Sequence, residues 1–433
     1  MNTKLTARQY FGVAIVVLLL GCTPVSVQPT KTSAPPKFTP STTLETSSPT
    51  PFSTPLPGLL PRFPLSGYVM IFVKDGDLYF QDGNNLPVKL THVGEKSYYP
   101  KLSDDNRKVV FSRDDGNEYS INTDGTQEQI IIRNDWLASF EAGTNKSILG
   151  FVSATHQLLV ETYFCESQKF ESPCSTSLFL ANTDTGTMEK LVDLGLALQQ
   201  NSISRNIEVS PDGKMVAFGT MQGVGIITIE GKIVRNNILP YKPSTSTVLF
   251  PFLYWLPDSN GLIVALPNTI YHSTAYGDFP AYTVWRYRID KNDATQILLD
   301  SPLRGIGIGD FDISPDGNWG IYGGIGEADS SLYIGNLTNG HTQIFGHDIQ
   351  PSFSWSPDST HFIYTSNNSV LGTIDQQFIL IKNCGFIQWI DAGHFTCNVG
   401  SIRMAEIDAG GEVKLYDLGF GKDVEDTLLI KPK

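Results

Sequence analysis

The sequence predicts an all-β fold built from repeated antiparallel hairpins. Three stretches share one plan: IEVSPDGKMVAFGT from Ile207, FDISPDGNWGIYGG from Phe311 and FSWSPDSTHFIYTS from Phe353. In each stretch an alternating apolar strand enters a tight turn, and a second apolar strand leaves it. No segment of the sequence sustains an apolar spacing of 3.6 residues, so we expect almost no helix.

The turn residues explain why the hairpins recur. In Ser210-Pro211-Asp212-Gly213 the serine hydroxyl can cap the turn and proline presets φ at the second position. Asp suits the third position, and Gly takes the fourth. Further copies, intact or degraded, begin at Ser103, Ser153, Pro257, Ser314, Ser356 and Asp391.

Each turn copy belongs to a unit of about four short strands, because further strands and polar turns follow it. A unit of roughly 35 to 58 residues suits one propeller blade. A first unit, Val69 to Thr91, lacks the turn and its leading strand, which the C-terminal run Thr427 to Ile430 can supply. We therefore predict a β-propeller of eight four-stranded blades. Seven blades is the alternative, if the region from Cys384 to Leu418 merges with the first unit.

The repeats resemble the WD40-like (PD40) propeller motif of the TolB-like family, in which an aromatic or apolar residue, Ser-Pro-Asp-Gly and an apolar strand recur in every blade. The resemblance covers nearly everything from Gly67 onward. It implies the fold but says little about function. We find no αβ domain ahead of the propeller, and TolB itself is soluble, so a role in the Tol-Pal envelope system is not carried over.

The N-terminus reads as an export signal. Lys4 and Arg8 precede an apolar run from Phe11 to Leu20, which is too short to span a bilayer because a spanning helix needs roughly 20 apolar residues. The segment Leu19-Leu20-Gly21-Cys22 resembles the bacterial lipobox, which implies removal of residues 1–21 and lipidation of Cys22. We expect a lipoprotein on the extracytoplasmic face of the cell membrane. The alternative is an ordinary signal peptide with an unrelated cysteine.

Residues 22–66 are mostly Pro, Ser and Thr, which predicts a disordered linker ahead of a propeller domain at 67–433. Such a linker can reach on the order of 100 Å. The formal net charge is −13, and it becomes −15 when Lys4 and Arg8 leave with the signal peptide. This charge argues against nucleic acid and anionic lipid as partners, so we expect membrane contact through the lipid anchor only.

Four cysteines remain besides Cys22, and an even number in an exported chain favours disulfides. Local pairing of Cys165 with Cys174 and of Cys384 with Cys397 is the simplest pattern, since each pair brackets a predicted hairpin. Other connectivities and free thiols are the alternatives. Neither reading implies a metal site, because no CxxC or His-rich spacing accompanies these cysteines.

The long connections between predicted strands share the face opposite the Ser-Pro-Asp-Gly turns, and we expect binding there because long loops on a rigid scaffold usually carry it. The most unusual connection is Asn268 to Trp285, and the aromatic and histidine side chains that make it a candidate ligand loop are Tyr271, His272, Tyr276, Phe279 and Tyr282. Aromatic rings can stack on a sugar or anchor a peptide. The alternative is that they pack over the propeller mouth.

Catalytic motifs are missing from the sequence. It contains neither Gly-x-Ser-x-Gly nor HExxH, and its seven histidines are scattered. We therefore expect no enzyme and no cofactor, and predict a binding or scaffold module for a protein, peptide or glycan of the cell envelope. The alternative is a propeller lyase or hydrolase acting on polysaccharide in the central funnel, resembling oligogalacturonate lyases with metal-binding histidines. Convergence of three or more His, Asp, Glu or Arg side chains at the channel mouth would favour the enzyme.

Overall fold

The computed structural model describes residues 63–431 except 93–95, 166–173, 198–206, 221–222, 242–250, 275–276, 300–302, 305–310, 326–329, 348–351, 366–368, 376, 382–383, 399–401, 409 and 419–423. The predicted signal peptide, Cys22 and nearly all of the predicted linker lie outside these residues. Within them, no helix has the length and apolar character to cross a membrane.

In the described part of the chain, thirty-three strands form eight antiparallel sheets. Blade 1 contains β1 (Val69–Lys74), β2 (Asp77–Asp82), β3 (Val88–Lys89) and the last strand, β33 (Val424–Ile430). Blade 2 contains β4 (Ser97–Leu102), β5 (Lys108–Arg113), β6 (Glu118–Asn122) and β7 (Gln129–Ile132). Blade 3 contains β8 (Asn145–Phe151), β9 (Gln157–Cys165), β10 (Cys174–Asn182) and β11 (Met188–Ala197). A 3₁₀ helix, Asn134–Ser139, connects blades 2 and 3.

The next five sheets continue the pattern. Blade 4 contains β12 (Ile207–Val209), β13 (Met215–Thr220), β14 (Gly223–Thr228) and β15 (Ile233–Ile238). Blade 5 contains β16 (Phe252–Trp255), β17 (Gly261–Thr274), β18 (Gly277–Arg288) and β19 (Asp293–Ile297), and β20 (Leu303–Arg304) pairs with β18. Blade 6 contains β21 (Phe311–Ile313), β22 (Trp319–Ile325), β23 (Ser330–Asn336) and β24 (Thr342–His347). Blade 7 contains β25 (Ser352–Trp355), β26 (His361–Thr365), β27 (Ser369–Thr373) and β28 (Phe378–Ile381). Blade 8 contains β29 (Gly385–Asp391), β30 (His394–Asn398), β31 (Ile402–Ile407) and β32 (Val413–Asp417).

The two ends of the chain meet in blade 1. There β33 pairs with β1, placing Val69 opposite Ile430 and Ile71 opposite Leu428. The C-terminal run therefore supplies the strand that the first unit lacks. Since β29 to β32 form a sheet of their own, the prediction of eight four-stranded blades is confirmed and the seven-blade alternative is wrong. Pairing with β33 covers the edge of β1 that the first unit would otherwise leave exposed.

The repeated turns connect the first and second strands of blades 2 to 8, and their side chains close the turn as the sequence predicts. In blade 4 the Ser210 hydroxyl donates to Asp212 Oδ1 (2.7 Å) and accepts the N–H of Met215 (2.9 Å). The same Asp212 oxygen accepts the N–H of Lys214 at 3.1 Å. Gly213 has a φ of +71°, the left-handed region that favours glycine. The serine network recurs at Ser103, Ser314 and Ser356.

The hydrophobic core lies between the blades rather than inside one compact centre. Among the described side chains, eight buried clusters occupy the eight interfaces between neighbouring blades. Between blades 6 and 7, for example, Ile321 and Ile334 pack against Trp355. At the interface of blades 8 and 1 the core already includes Phe63 and Leu65. Packing of the propeller thus begins a few residues before the predicted start of the domain at residue 67.

The inner strands divide the ring into two halves. Each blade's first strand contacts the first strand of a neighbouring blade at several interfaces, which identifies these strands as the innermost ones. In blades 4 to 7 they pair with the second strand without a register shift, and we call these blades the regular half. In blades 8, 1, 2 and 3 the pairing is interrupted by a bulge, and we call these blades the bulged half. Bulges bend a strand and re-aim its side chains.

Candidate functional site

A cavity of about 300 Å³ lies at the inner edge of the regular half. Its walls come from the innermost strands of four consecutive blades and from the turns that follow them. The chemically informative wall residues are Glu208, Tyr254, Trp255, Asp312, Ser354 and Trp355. Since Pro211 and Pro315 also line it, the cavity lies at the end of the channel next to the Ser-Pro-Asp-Gly turns. This is the face opposite the one that we predicted from loop lengths.

Regular strand pairing brings equivalent residues to one level of this cavity. Glu208, Asp312 and Ser354 each stand two positions before the serine of the blade's turn, and Tyr254 stands two positions before Leu256, which takes the serine's place ahead of Pro257. The bulged half has Lys101 at the same position in blade 2, and burial lowers the pKa of this amine. The cavity wall of the regular half is therefore acidic and aromatic, whereas the equivalent position of blade 2 holds a partly buried lysine.

Hydrogen bonds between neighbouring blades fix the aromatic walls. The indole N–H of Trp255 donates to the carbonyl oxygen of Glu208 in the preceding blade at 2.9 Å. In the same way the indole N–H of Trp389 donates to the carbonyl of Ser354 at 3.1 Å. These bonds tie blade 4 to blade 5 and blade 7 to blade 8. These hydrogen bonds therefore fix the positions of the cavity walls in the absence of a ligand.

One wall donor has no such bond. Trp355 is only 5% exposed, and its indole N–H has no hydrogen-bond partner among the residues that the structure describes. Two carboxylates, Glu208 and Asp312, supply acceptors in the same cavity, and no Lys, Arg or His stands among the described residues that line it. In the part of the chain that the structure describes, no three His, Cys, Asp or Glu side chains come close enough together to hold a metal ion. The cavity thus combines aromatic surface with a few polar groups, which is typical of small-molecule sites.

The candidate ligand loop from Asn268 to Trp285 is a β-hairpin rather than a loop. It forms the extended ends of β17 and β18, with Tyr271 opposite Pro280 and His272 opposite Phe279. A register shift after Pro267 accommodates the proline, so the strand continues where the sequence suggested a break. Tyr276 and the side chains of Tyr271, His272 and Phe279 lie outside the described residues.

Tyr282, the last residue of that predicted set, belongs to the core. It is 7% exposed, and its ring packs against Phe252 with 5.5 Å between centroids. Both rings contribute to the cluster between blades 5 and 6. The prediction that Tyr282 lies on a ligand loop is therefore wrong, because the alternation of the strand turns this side chain toward the neighbouring blade.

The cysteines differ in their pairing. Cys174 lies directly opposite Cys165 in the β9–β10 register, and the two form a disulfide. Cys384 and Cys397 are buried free thiols, so the predicted second disulfide is not formed. In the β29–β30 register Cys397 faces Phe386 rather than Cys384, which leaves the two sulfurs diagonal to each other. The hydrogen bond from the Cys397 thiol lowers the pKa of Cys384, while donating that bond and burial raise the pKa of Cys397.

A polar cluster closes the interface between blades 8 and 1. Asp391 accepts hydrogen bonds from Lys431 Nζ (3.0 Å) and Tyr68 (3.2 Å), and its other oxygen lies 2.8 Å from His394 Nδ1. Burial alone would raise the pKa of Asp391, but the bonds from His394, the Gly393 N–H and Lys431 lower it to about 2. Burial and the Asp391 charge raise the pKa of Tyr68 to about 12. The sequence indicated only a turn at Asp391, since Tyr68 and Lys431 lie far from it along the chain.

A second polar cluster joins blades 2 and 3. His156 lies between two carboxylates, with Nδ1 2.7 Å from Asp184 and Nε2 3.0 Å from Asp105. Lys108 adds an ion pair with Asp184 at 3.1 Å. Burial alone would lower the pKa of His156, but the bonds with Asp184 and Asp105 outweigh burial and raise it. The arrangement is a charged bridge between neighbouring blades.

Strand order, turn network and closure define this chain as an eight-bladed β-propeller. No protein-family model matches it, and no curated protein matches it. Among solved structures, TolB from Acinetobacter baumannii is 11% identical, covering 86% of this chain and 68% of its own, with a TM-score of 0.34. An oligogalacturonate lyase from Vibrio parahaemolyticus is 12% identical, covering 78% and 84%, with a TM-score of 0.41. A eukaryotic initiation factor is 11% identical, covering 84% and 98%, with a TM-score of 0.48. The assignment of the fold rests on the strand pairing above and not on these similarities.

Proposed function

We propose that this protein is an exported lipoprotein that displays its propeller outside the cell membrane as a binding module. The signal sequence and the lipobox cysteine, Cys22, support export and anchoring. The cavity of the regular half is the observation that carries the binding role. Its partner is a protein, peptide or glycan of the cell envelope.

Preorganisation of the cavity favours binding. Its walls come from four blades, and the bonds from Trp255 to Glu208 and from Trp389 to Ser354 lock neighbouring blades together. Tyr254 adds a third link by donating to the Phe311 carbonyl. A site that is already ordered loses little conformational entropy when a ligand enters, so more of the interaction energy appears as affinity.

Crosslinking in intact cells tests the binding role. We expect the wild-type lipoprotein to capture a specific partner, and Ser354→Trp to lose it because the larger side chain fills the cavity. The matched control is Ile233→Trp, which adds the same side chain at a position that is 68% exposed on the outer strand of blade 4. Equal capture by both variants, or no partner with the wild type, would argue against the proposal.

Two further readouts complete the test. Replacing Cys22 with alanine should abolish incorporation of a radiolabelled fatty acid and release the protein from the membrane fraction. Unchanged membrane association of this variant would contradict anchoring at Cys22.

Shortening of envelope polysaccharide by the wild type but not by Ser354→Trp would instead support the propeller enzyme.

A further inference from the structure

Residues 63–68 enter the propeller at the face that carries the cavity. They lead into β1, which takes the second position of its sheet, after β33. In blades 2 to 8 the second strand begins after the repeated turn, so the start of β1 lies at the turn face. The Tyr68 hydroxyl agrees with this position, because it donates to Asp391 in the turn of blade 8. Since Pro211 and Pro315 line the cavity, the entering chain and the cavity share one face.

Blade 8 lies between this entry point and the nearest wall of the cavity. Phe63 packs on blade 8, with 5.6 Å between its ring centroid and that of His394. Trp389 of the same blade donates to the carbonyl of Ser354, which lines the cavity. Packed sheets lie about 10 Å apart, so the span from Phe63 to the cavity is on the order of 20 Å. About six to eight residues in polyproline II conformation, at about 3.1 Å each, cover that span.

The cavity wall offers an occupant more apolar contact than hydrogen bonding. The Trp255 N–H donates to a carbonyl of the preceding blade and the Tyr254 hydroxyl to a carbonyl of the next, so both donors are already used. The indole nitrogen of Trp355 is buried between blades 6 and 7. At the opening, Pro211 and Pro315 are exposed and Trp255 is half-buried. A chain in this cavity is therefore held mainly by packing against proline and tryptophan rings.

Residues 48–62, directly before the described part of the chain, have the composition that this wall requires. Five of these residues are proline and four are Phe or Leu. Proline has no N–H and so brings no donor that the wall would have to satisfy. Pro-rich segments dock in aromatic-lined grooves because their extended conformation is already formed. Pro55-Leu56-Pro57 lies six to eight residues before Phe63, which is the length needed to reach the cavity.

Charge favours the same occupant. Residues 63–433 contain 26 Lys and Arg against 43 Asp and Glu, a formal net charge of −17. Glu208 and Asp312 place part of that charge at the cavity. Residues 48–62 contain no Asp or Glu, and their one charged residue is Arg62. This segment therefore approaches the acidic wall without repulsion.

We propose that Pro55-Leu56-Pro57 docks in this cavity as an intramolecular occupant, which an external partner has to displace. A short tether gives an attached segment an effective concentration in the ~mM range. A contact with a dissociation constant in that range already fills the cavity about half of the time. The inference rests on the proposed binding function for the external partner and adds a regulation of the same cavity.

Photo-crosslinking of the full mature lipoprotein in detergent tests the docking. Phe52 is replaced by the photoreactive p-benzoylphenylalanine, and crosslinked peptides are identified by mass spectrometry. We expect crosslinks to the cavity segments 207–213, 252–257 and 311–317. A mixture of isotope-labelled and unlabelled protein separates crosslinks within one chain from those between copies. Crosslinks only to other parts of the propeller, only between copies, or none at all would overturn the proposal.

Two cavity variants test where the segment docks. Ser354→Trp fills the cavity and should abolish the crosslinks from position 52. The matched control, Ile233→Trp, adds the same side chain on the outer strand of blade 4 and should keep them. Crosslinks that persist in Ser354→Trp would overturn the proposal. If that variant fails to fold, the proline variants below decide.

Two double proline variants test the docking segment itself. Pro55→Ala with Pro57→Ala should lower the crosslink yield about fivefold, because two residues regain backbone freedom that docking has to remove. Pro35→Ala with Pro36→Ala is the matched control, since it removes two prolines of the same linker outside residues 48–62. The control should keep the wild-type yield. Equal yields from the two double variants would overturn the proposal.

Failure of the docking is distinguishable from failure of the binding function. Crosslinks from position 52 without any captured envelope partner would leave the docking and remove the binding role. A captured partner that Ser354→Trp loses, without crosslinks from position 52, would leave the binding role and remove the docking. If both are observed, Pro55→Ala with Pro57→Ala should capture more partner than wild type. Equal capture would contradict regulation by this segment.

Discussion

The regular and bulged halves of the ring are held together in different ways. In the regular half, the turn motif keeps the inner strands in register and neighbouring blades share backbone-directed bonds, such as that from the Asp316 N–H to the Ser359 hydroxyl at 3.0 Å. In the bulged half, two interfaces carry side-chain networks centred on His156 and Asp391. The repeated inner strands of the regular half thus form the cavity on one side of the channel. On the other side, charged side-chain bridges connect the blades.

Closure of the ring is the weak point of the bulged half, because blade 1 has no covalent link between its first and second strands. Deleting residues 424–433 should remove β33, expose the edge of β1 and abolish the folded monomer, the largest effect that we expect. Size-exclusion chromatography and circular dichroism would measure it. A chain that ends at Ile430 keeps β33 and is the control. A folded monomer after removal of β33 would contradict closure by this strand.

A turn glycine at the boundary of the two halves should be the next most sensitive position. In Gly213→Ala the new Cβ would lie 2.6 Å from the Ser153 carbonyl oxygen, at a φ of +71°. We expect a loss of about 1–3 kcal/mol in the free energy of unfolding, measured with urea. Gly67→Ala is the control, since its φ is +81° but no atom of a described residue lies within 4 Å of the new Cβ. Equal losses of unfolding free energy in both variants would show that backbone strain alone, and not the contact with Ser153, causes the effect.

Loss of a single inter-blade hydrogen bond in the regular half should have a smaller effect. Ser359→Ala removes the acceptor of the Asp316 N–H, and we expect about 1 kcal/mol lower stability in the same urea assay. Ser177→Ala removes a hydroxyl bond to Asp193 on the exposed face of blade 3 and serves as the control. A change in Ser359→Ala no larger than in the control would show that this bond does not stabilise the ring.

The smallest expected effect is a pH dependence at the bridge between blades 2 and 3. The pKa of His156 is raised above its ordinary value of 6.5 by Asp184 and Asp105, despite partial burial. Its stabilising contribution is therefore fully present below about pH 6.5 and is lost as the pH rises through the raised pKa. The stability difference between wild type and His156→Gln should be larger at pH 5.5 than at pH 9. A difference that grows with pH would contradict the bridge.

The repeat made the blades predictable but not the cavity. Each turn is a local signal, and the missing strand of the first unit pointed to the C-terminal run, so blade count and closure followed from the sequence. The cavity depends on Glu208, Asp312 and Ser354 reaching one level of the channel, which only the strand register reveals. Glycines, prolines and aromatics between Asn268 and Trp285 suggested a loop, whereas the ladder of β17 and β18 extends through them.

The side-chain networks between blades could not be predicted from the sequence either. Tyr68 and Asp391 are 323 residues apart along the chain, and only ring closure brings them together. The bridge of Asp105, His156 and Asp184 joins turns of two blades in the same manner. Sequence patterns predict turns and strands because residues close together in the sequence determine these elements. Contacts across an interface depend instead on how complete blades stack.

Hydrogen exchange of the intact protein tests the closed eight-bladed ring most directly. Peptides covering residues 424–430 and 69–74 should exchange slowly and with matching protection, because each strand supplies hydrogen-bond partners to the other. Their protection should approach that of β13 in the regular half. Rapid exchange of residues 424–430 while the other blades stay protected would contradict closure by the C-terminal strand.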